Sequence, residues 1–201
     1  MSSVELIPAA YGDIVFIARQ MRDLDREEIM PLTWSGQPED LAFWSAHLGG
    51  LSNVALADGK PVAAFGAYEI MPQFWNVWMF STDDWPLVAM TVTRTILRKW
   101  TPIIFESNAQ RMDCWSMEGH DVAHRWLEVL GARREASLEN YGATGKTFHC
   151  YSWTRDQIVR QGGKTHVRRT VKSSKDSKDT NTKSTAATAG GSDAASAADE
   201  G

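Results

Sequence analysis

The sequence predicts a mixed α/β (α+β) domain followed by a polar tail, and three observations carry that expectation. Segments with helical periodicity alternate with short apolar, strand-like runs from Val4 to Trp153. An Asp58-Gly59 pair lies between two apolar runs, a strong hairpin signal. From Ser173 onward there is no aromatic residue and no Leu, Ile, Val or Met, so this stretch cannot bury enough surface to offset the entropy of ordering. The expected organisation is a folded domain over residues 1–154, a basic polar extension over 155–172 and a disordered low-complexity tail over 173–201.

Each element has a local reason. Val4 to Pro8 reads as a first strand. A helix is expected from Asp13, a natural cap, to Ile29, with Ile14, Ile17, Ala18, Met21 and Leu24 on one face and Arg22, Asp23, Asp25, Arg26, Glu27 and Glu28 on the solvent side. Pro38 to Leu48 reads as a second helix ended by Gly49-Gly50. Ser52 to Ala57 and Pro61 to Ile70 form the hairpin, and Phe74 to Phe80 a further strand. A turn, Ser81 to Pro86, leads into a helix from Leu87 to Trp100. Asp83 or Asp84 can cap this helix and Pro86 suits its first turn. Ile103 to Glu106 and Arg111 to Ser116 supply another strand region, His120 to Leu130 a helix, and Arg133 to Tyr141 with Thr147 to Trp153 a final hairpin.

Charge is unevenly divided. Residues 1–154 hold 12 Lys and Arg against 19 Asp and Glu, whereas residues 155–183 hold 9 against 3. The basic run with Arg160, Lys164, Arg168, Arg169 and Lys172 could touch nucleic acid or an acidic protein, although a solvated run explains it as well. Two cysteines, Cys114 and Cys150, are too few for a disulfide framework and read as reduced core thiols of a cytoplasmic protein. No stretch is long and apolar enough for a membrane-spanning helix.

The element order, with the segment AHRWLEVLGARRE from Ala123 to Glu135, resembles the GNAT acyltransferase fold. That family's fourth helix commonly ends in the pattern A-x-x-φ-Y-x-x-φ-G-φ, and Ala123, Trp126, Glu128, Leu130 and Gly131 fall in its register. The resemblance implies a mixed central sheet of six to seven strands flanked by about four helices. Within that superfamily, Trp78 to Trp85 and the helix from His124 to Ala132 look like the internal virion protein A family of short-tailed bacteriophages. That closer resemblance implies a virion or assembly protein, made in the host bacterial cytoplasm, incorporated in the virion and acting by contacts with other phage structural proteins.

The departures bear on activity. The family holds the pyrophosphate of acyl-CoA with a Q/R-x-x-G-x-G/A loop, and Thr82 to Leu87 stand there without glycine and with two carboxylates. Its frequent acid, a Tyr, aligns with Leu127, and its nearby Asn with His120. The expectation is therefore a scaffold with a degenerate site and no cofactor. The alternative is an acetyl-CoA-dependent N-acetyltransferase with a non-standard phosphate loop, drawing on Phe80, Ser81, Thr82, Trp85 and Leu87, with Glu106 as base and Tyr141 as acid. Asp113 and Glu118 are further carboxylates near the point where the family's central strands separate. His120-Asp121-Val122-Ala123-His124 has the spacing of a zinc pair but no third ligand at a regular distance, so no metal is expected. Seven tryptophans from Trp75 to Trp153 suit core or interface packing better than base stacking.

Overall fold

The computed structural model describes residues 3–157. Seven strands form one mixed sheet: β1 (Val4–Pro8), β2 (Leu51–Ala57), β3 (Lys60–Met71), β4 (Phe74–Ser81), β5 (Arg111–Met117), β6 (Arg133–Tyr141) and β7 (Lys146–Thr154). Their order is β1-β2-β3-β4-β5-β7-β6. Every neighbouring pair is antiparallel except β4 and β5, which run parallel. The basic residues Arg160, Lys164, Arg168, Arg169 and Lys172, and the expected tail, lie outside the described residues. No described helix is long and apolar enough to cross a membrane.

The β2–β3 hairpin follows from its turn chemistry. Asp58 and Gly59 both take positive φ, at 49° and 79°, as the tight hairpin turns that match strand twist require. Alternation along these strands then sends neighbours to opposite faces. Val54 and Ala64 join Phe80 under helices α1 (Tyr11–Arg19) and α3 (Pro38–His47). Ala55, Ala63 and Phe65 join the larger core under α4 (Trp85–Thr95), α5 (Thr101–Glu106) and α6 (Asp121–Val129). Helix α1 has only nine residues, too few to be stable alone, so burial of Ile14, Ile17 and Ala18 must hold it.

Three sequence expectations are corrected. The helix expected from Asp13 to Ile29 is two helices, α1 and α2 (Asp23–Ile29), because Arg22 is extended at φ −51°, ψ 148° and donates its N–H to the Ser81 carbonyl at 2.9 Å. The Arg26 guanidinium then binds the exposed Arg19 carbonyl at the end of α1. Ile103 to Glu106 is helix rather than strand: a π turn, Ile96–Trp100, joins α4 to α5 just before Pro102. A proline lacks an N–H and crowds the carbonyl four residues back, and the widened turn absorbs both defects. The carboxylates of Asp13 and Asp84 cap nothing; α1 and α4 begin without a side-chain cap.

Trp78 lies flat over Gly66 on the neighbouring strand. A Cβ at residue 66 would meet three atoms of that indole at 2.4–2.5 Å. Gly66→Ala should therefore force Trp78 or the β3–β4 pairing to shift and cost about 1–3 kcal/mol of stability in urea denaturation. An unchanged midpoint would show that the indole is not held by this contact.

Candidate functional site

The site begins where two strands separate. β4 and β5 pair only over Phe74–Asn76 and Arg111–Asp113, and beyond Asn76 no ladder joins them. The Asn76 side chain donates to the Asp113 carbonyl at 3.3 Å at the last paired position. The bond from Thr82 N–H to the Val62 carbonyl sets the phase of the β3–β4 ladder, so alternate residues, Met79 and Ser81, turn N–H and C=O away from β3. On the other side Trp115 turns its backbone toward the same gap, because its even-numbered neighbours face β7.

Helix α2 fills one end of this gap. Ser81 N–H donates to Asp25 Oδ2 at 2.9 Å, and the Ser81 carbonyl accepts from Arg22 N–H. The strand end that β5 abandons is thus completed by α2. Asp25 is held in turn by the Arg22 guanidinium, at 2.7 Å to Oδ1 and 2.9 Å to Oδ2. One helical turn on, Glu28 Oε2 accepts from Ser116 Oγ at 3.4 Å on β5 and makes a short contact with His120 Nδ1. His120 Nε2 lies 3.5 Å from Asp25 Oδ1. Asp25 and His120 are each 3 % exposed and Glu28 9 %, so this is a buried carboxylate–imidazole–carboxylate array rather than a surface ion pair.

A cleft of about 450 Å³ runs through the gap. That lies within the ~300–1,000 Å³ span of small-molecule sites. Arg22, Asp25, Glu28 and His120 line it at the wide end of the gap, beside Ser81 and the end of β5. Toward α2 and α3 its walls are Trp44, Trp78, Trp115 and Tyr141; toward α4 and α6 they are Trp85, Trp100 and Trp126. Trp115 and Tyr141 stack with centroids 5.4 Å apart. The turn at Gly142 is anchored on α2's side, where Ala143 N–H donates to the Pro31 carbonyl. Cys114 also borders the cleft, and burial pushes its thiol well up, which keeps it protonated and a poor nucleophile.

The turn where a phosphate loop would stand is closed on itself. Thr82 N–H goes to Val62, Asp84 N–H to Thr82 Oγ1 at 3.3 Å, Trp85 N–H to the Thr82 carbonyl and Leu87 N–H to the Asp84 carbonyl. With Ser81 N–H on Asp25, the donors expected of Ser81, Thr82, Trp85 and Leu87 are all spent within the protein. Asp84 pairs with Lys60 at 2.9 Å. Phe80 is buried and stacks on Trp78, and Trp85 packs edge-on against Trp126. Trp126 Nε1 also donates to Thr93 Oγ1, which ties α6 to α4.

The other expected residues divide. Tyr141 lines the cleft, whereas Glu106 sits exposed at the end of α5, away from the cleft walls. Asp113 is buried beside Arg111 at the paired end of β5, and burial raises its carboxyl above the usual range. The side chain of Glu118 is exposed, with one oxygen 3.8 Å from His149. His120 does not cap its helix by its side chain, which turns to Glu28; His124 packs against His149 and Tyr151, and burial lowers its pKa. Among the described residues no three ligands gather to hold a metal ion. Leu127 is buried and apolar at the position aligned with a tyrosine acid.

Sequence reasoning missed Asp25 and Glu28, which it assigned to the solvent side. The break at Arg22 separates α2 from α1, so the helical spacing of Ile14, Ile17 and Ala18 does not carry over to Asp25 and Glu28. Leu24, expected on the same face as those apolar residues, is 40 % exposed.

No protein-family model matches the sequence, and no curated protein matches it. Its backbone resembles solved acetyltransferases. Ard1 of Thermoplasma volcanium shares 14 % identity at a TM-score of 0.59, covering 76 % of this chain and 97 % of that one. An aminoglycoside acetyltransferase, AAC(6')-Ib, solved with coenzyme A and kanamycin, shares 14 % at 0.55, covering 80 % and 100 %. The ribosomal-protein-S18-alanine N-acetyltransferase of Escherichia coli shares 14 % at 0.53, covering 77 % and 94 %. At these identities the likeness establishes a GNAT-like fold.

Arg22→Ala should cost on the order of 3 kcal/mol in urea denaturation, since it leaves Asp25 buried without its guanidinium. A loss under about 1 kcal/mol would mean that the Ser81 N–H and His120 suffice to hold that carboxylate.

Proposed function

We propose that the chain is an N-acyltransferase of GNAT type, which takes an acyl thioester into the gap between β4 and β5 and passes the acyl group to an amine. The carrying observation is the parting of β4 and β5 around a cleft lined by Glu28, His120 and Asp25. The acyl donor supplies an activated carbonyl carbon. The protein's own groups supply the rest. Met79 N–H points into the gap, where a backbone donor can stabilise charge developing on a carbonyl oxygen. Glu28, against His120, can take the proton an amine must shed before its nitrogen bonds to that carbon. Leu127 offers no proton to the departing thiolate, so that proton comes from water in the cleft or by return from the Glu28–His120 pair.

The parted edges offer a thioester arm a cleft of about 450 Å³, but the turn from Thr82 to Leu87 offers the diphosphate of coenzyme A no ready cradle. The N–H groups of Thr82, Asp84, Trp85 and Leu87 are spent, and two carboxylates border the turn. Any diphosphate would have to be held by other groups. This observation favours a second reading, a scaffold that keeps the fold and works by protein contacts, as the resemblance to phage virion proteins implies.

Calorimetric titration with acetyl-CoA separates the two. The acyltransferase reading expects submillimolar binding and, at 100 times Kd, about 2.7 kcal/mol of added stability. It also expects Glu28→Gln to retain that binding while losing acyl transfer. No heat and no stabilisation at millimolar acetyl-CoA would leave the scaffold reading standing.

A further inference from the structure

We infer that the acceptor is a single primary amine carried on an apolar aromatic body, an arylalkylamine; this rests on the acyltransferase reading. The walls of the cleft toward α2 and α3 are built from Leu32, Leu41, Trp44, Trp78, Trp115 and Tyr141. Polar groups on this side are few: the Ser45, Tyr68 and Tyr141 hydroxyls, the Asn76 amide and Arg22. The Asn76 amide is held by the Asp113 carbonyl, and Arg22 is spent on Asp25.

The carboxylates are not equivalent. Both oxygens of Asp25 are taken by Arg22, and Oδ2 also accepts from Ser81 N–H. The contacts of Glu28 among the described residues fall on Oε2, from Ser116 and His120, which leaves Oε1 for a ligand. One available carboxylate oxygen suits one ammonium. A polycation would leave its remaining charges without a carboxylate partner.

The aromatic walls then select the body. Trp115 stacked on Tyr141, at an interplanar angle of 21°, with Trp44 and Trp78 beside them, lines the cleft with aromatic surface. Such faces attract an aryl ring, and an ammonium near them gains from the ring quadrupole. Trp44, in the lining, is itself 53 % exposed, so this aromatic surface reaches solvent.

The test uses the full chain and three probes in separate calorimetric titrations: tryptamine, spermidine and acetyl-CoA. Tryptamine should bind at least tenfold more tightly than spermidine. Glu28→Gln should weaken tryptamine at least tenfold, and Trp44→Ala, at a position 53 % exposed, several-fold. Spermidine binding as tightly as tryptamine, or tryptamine binding indifferent to both substitutions, overturns the proposal. If acetyl-CoA binds and tryptamine does not, the acceptor class is wrong and the acyltransferase reading survives. If tryptamine binds through Glu28 and acetyl-CoA does not, the aromatic amine site stands and the acyltransferase reading fails.

Discussion

Helix α2 is a wedge between two strands that would otherwise keep pairing. A strand end whose backbone groups are buried must find partners, since each orphaned group costs about 1–3 kcal/mol. At Ser81 those partners are the Asp25 carboxylate and the Arg22 N–H, not β5. On β5 the matching contacts are Ser116 and, just past its end, His120, both meeting Glu28. Two carboxylates three residues apart thus join one splayed strand to the other. The break between α1 and α2 is part of the same device, because Arg22 can reach Ser81 only by leaving helical geometry.

The gap carries an argument by magnitude. A buried ion array seldom stabilises a fold more than well-packed apolar side chains of similar volume would. In a scaffold, Asp25, Glu28 and His120 would serve only to tie the parted strands to α2, work that apolar packing does at lower cost. A protein that must receive a thioester and deprotonate an amine gains from all three. Against this stands the turn at Thr82 to Leu87, where the N–H groups of Thr82, Asp84, Trp85 and Leu87 already have partners within the protein. The proposed site therefore has a buried carboxylate–imidazole array at one place and no ready phosphate cradle at the other.

Much of the fold was legible in the sequence because its signals were local. The Asp58-Gly59 turn, the apolar runs of β2 to β5 and the glycine-ended helix before β6 each rest on short-range rules. The run at Ile103 was misread because a short apolar stretch cannot be told from a buried helix segment by periodicity alone. The anomalous turn was legible as an absence, from the lack of glycine and the presence of Asp83 and Asp84. The array was not, for its partners lie far apart in the chain: Glu28 meets His120 across 92 residues and Asp25 meets Ser81 across 56. Acids on a short helix look solvated until the helix is seen to enter a sheet.

The central claim is that the parted edges of β4 and β5 form the acyl site, and amide-resolved NMR during an acetyl-CoA titration tests it most directly. The account predicts saturable shifts at the Met79 and Trp115 amides, with the Ser81 amide retaining its slow exchange because Asp25 holds it. Saturable shifts confined to the outer strand β6 or the β1–β2 edge, with Met79 and Trp115 unmoved, would contradict it.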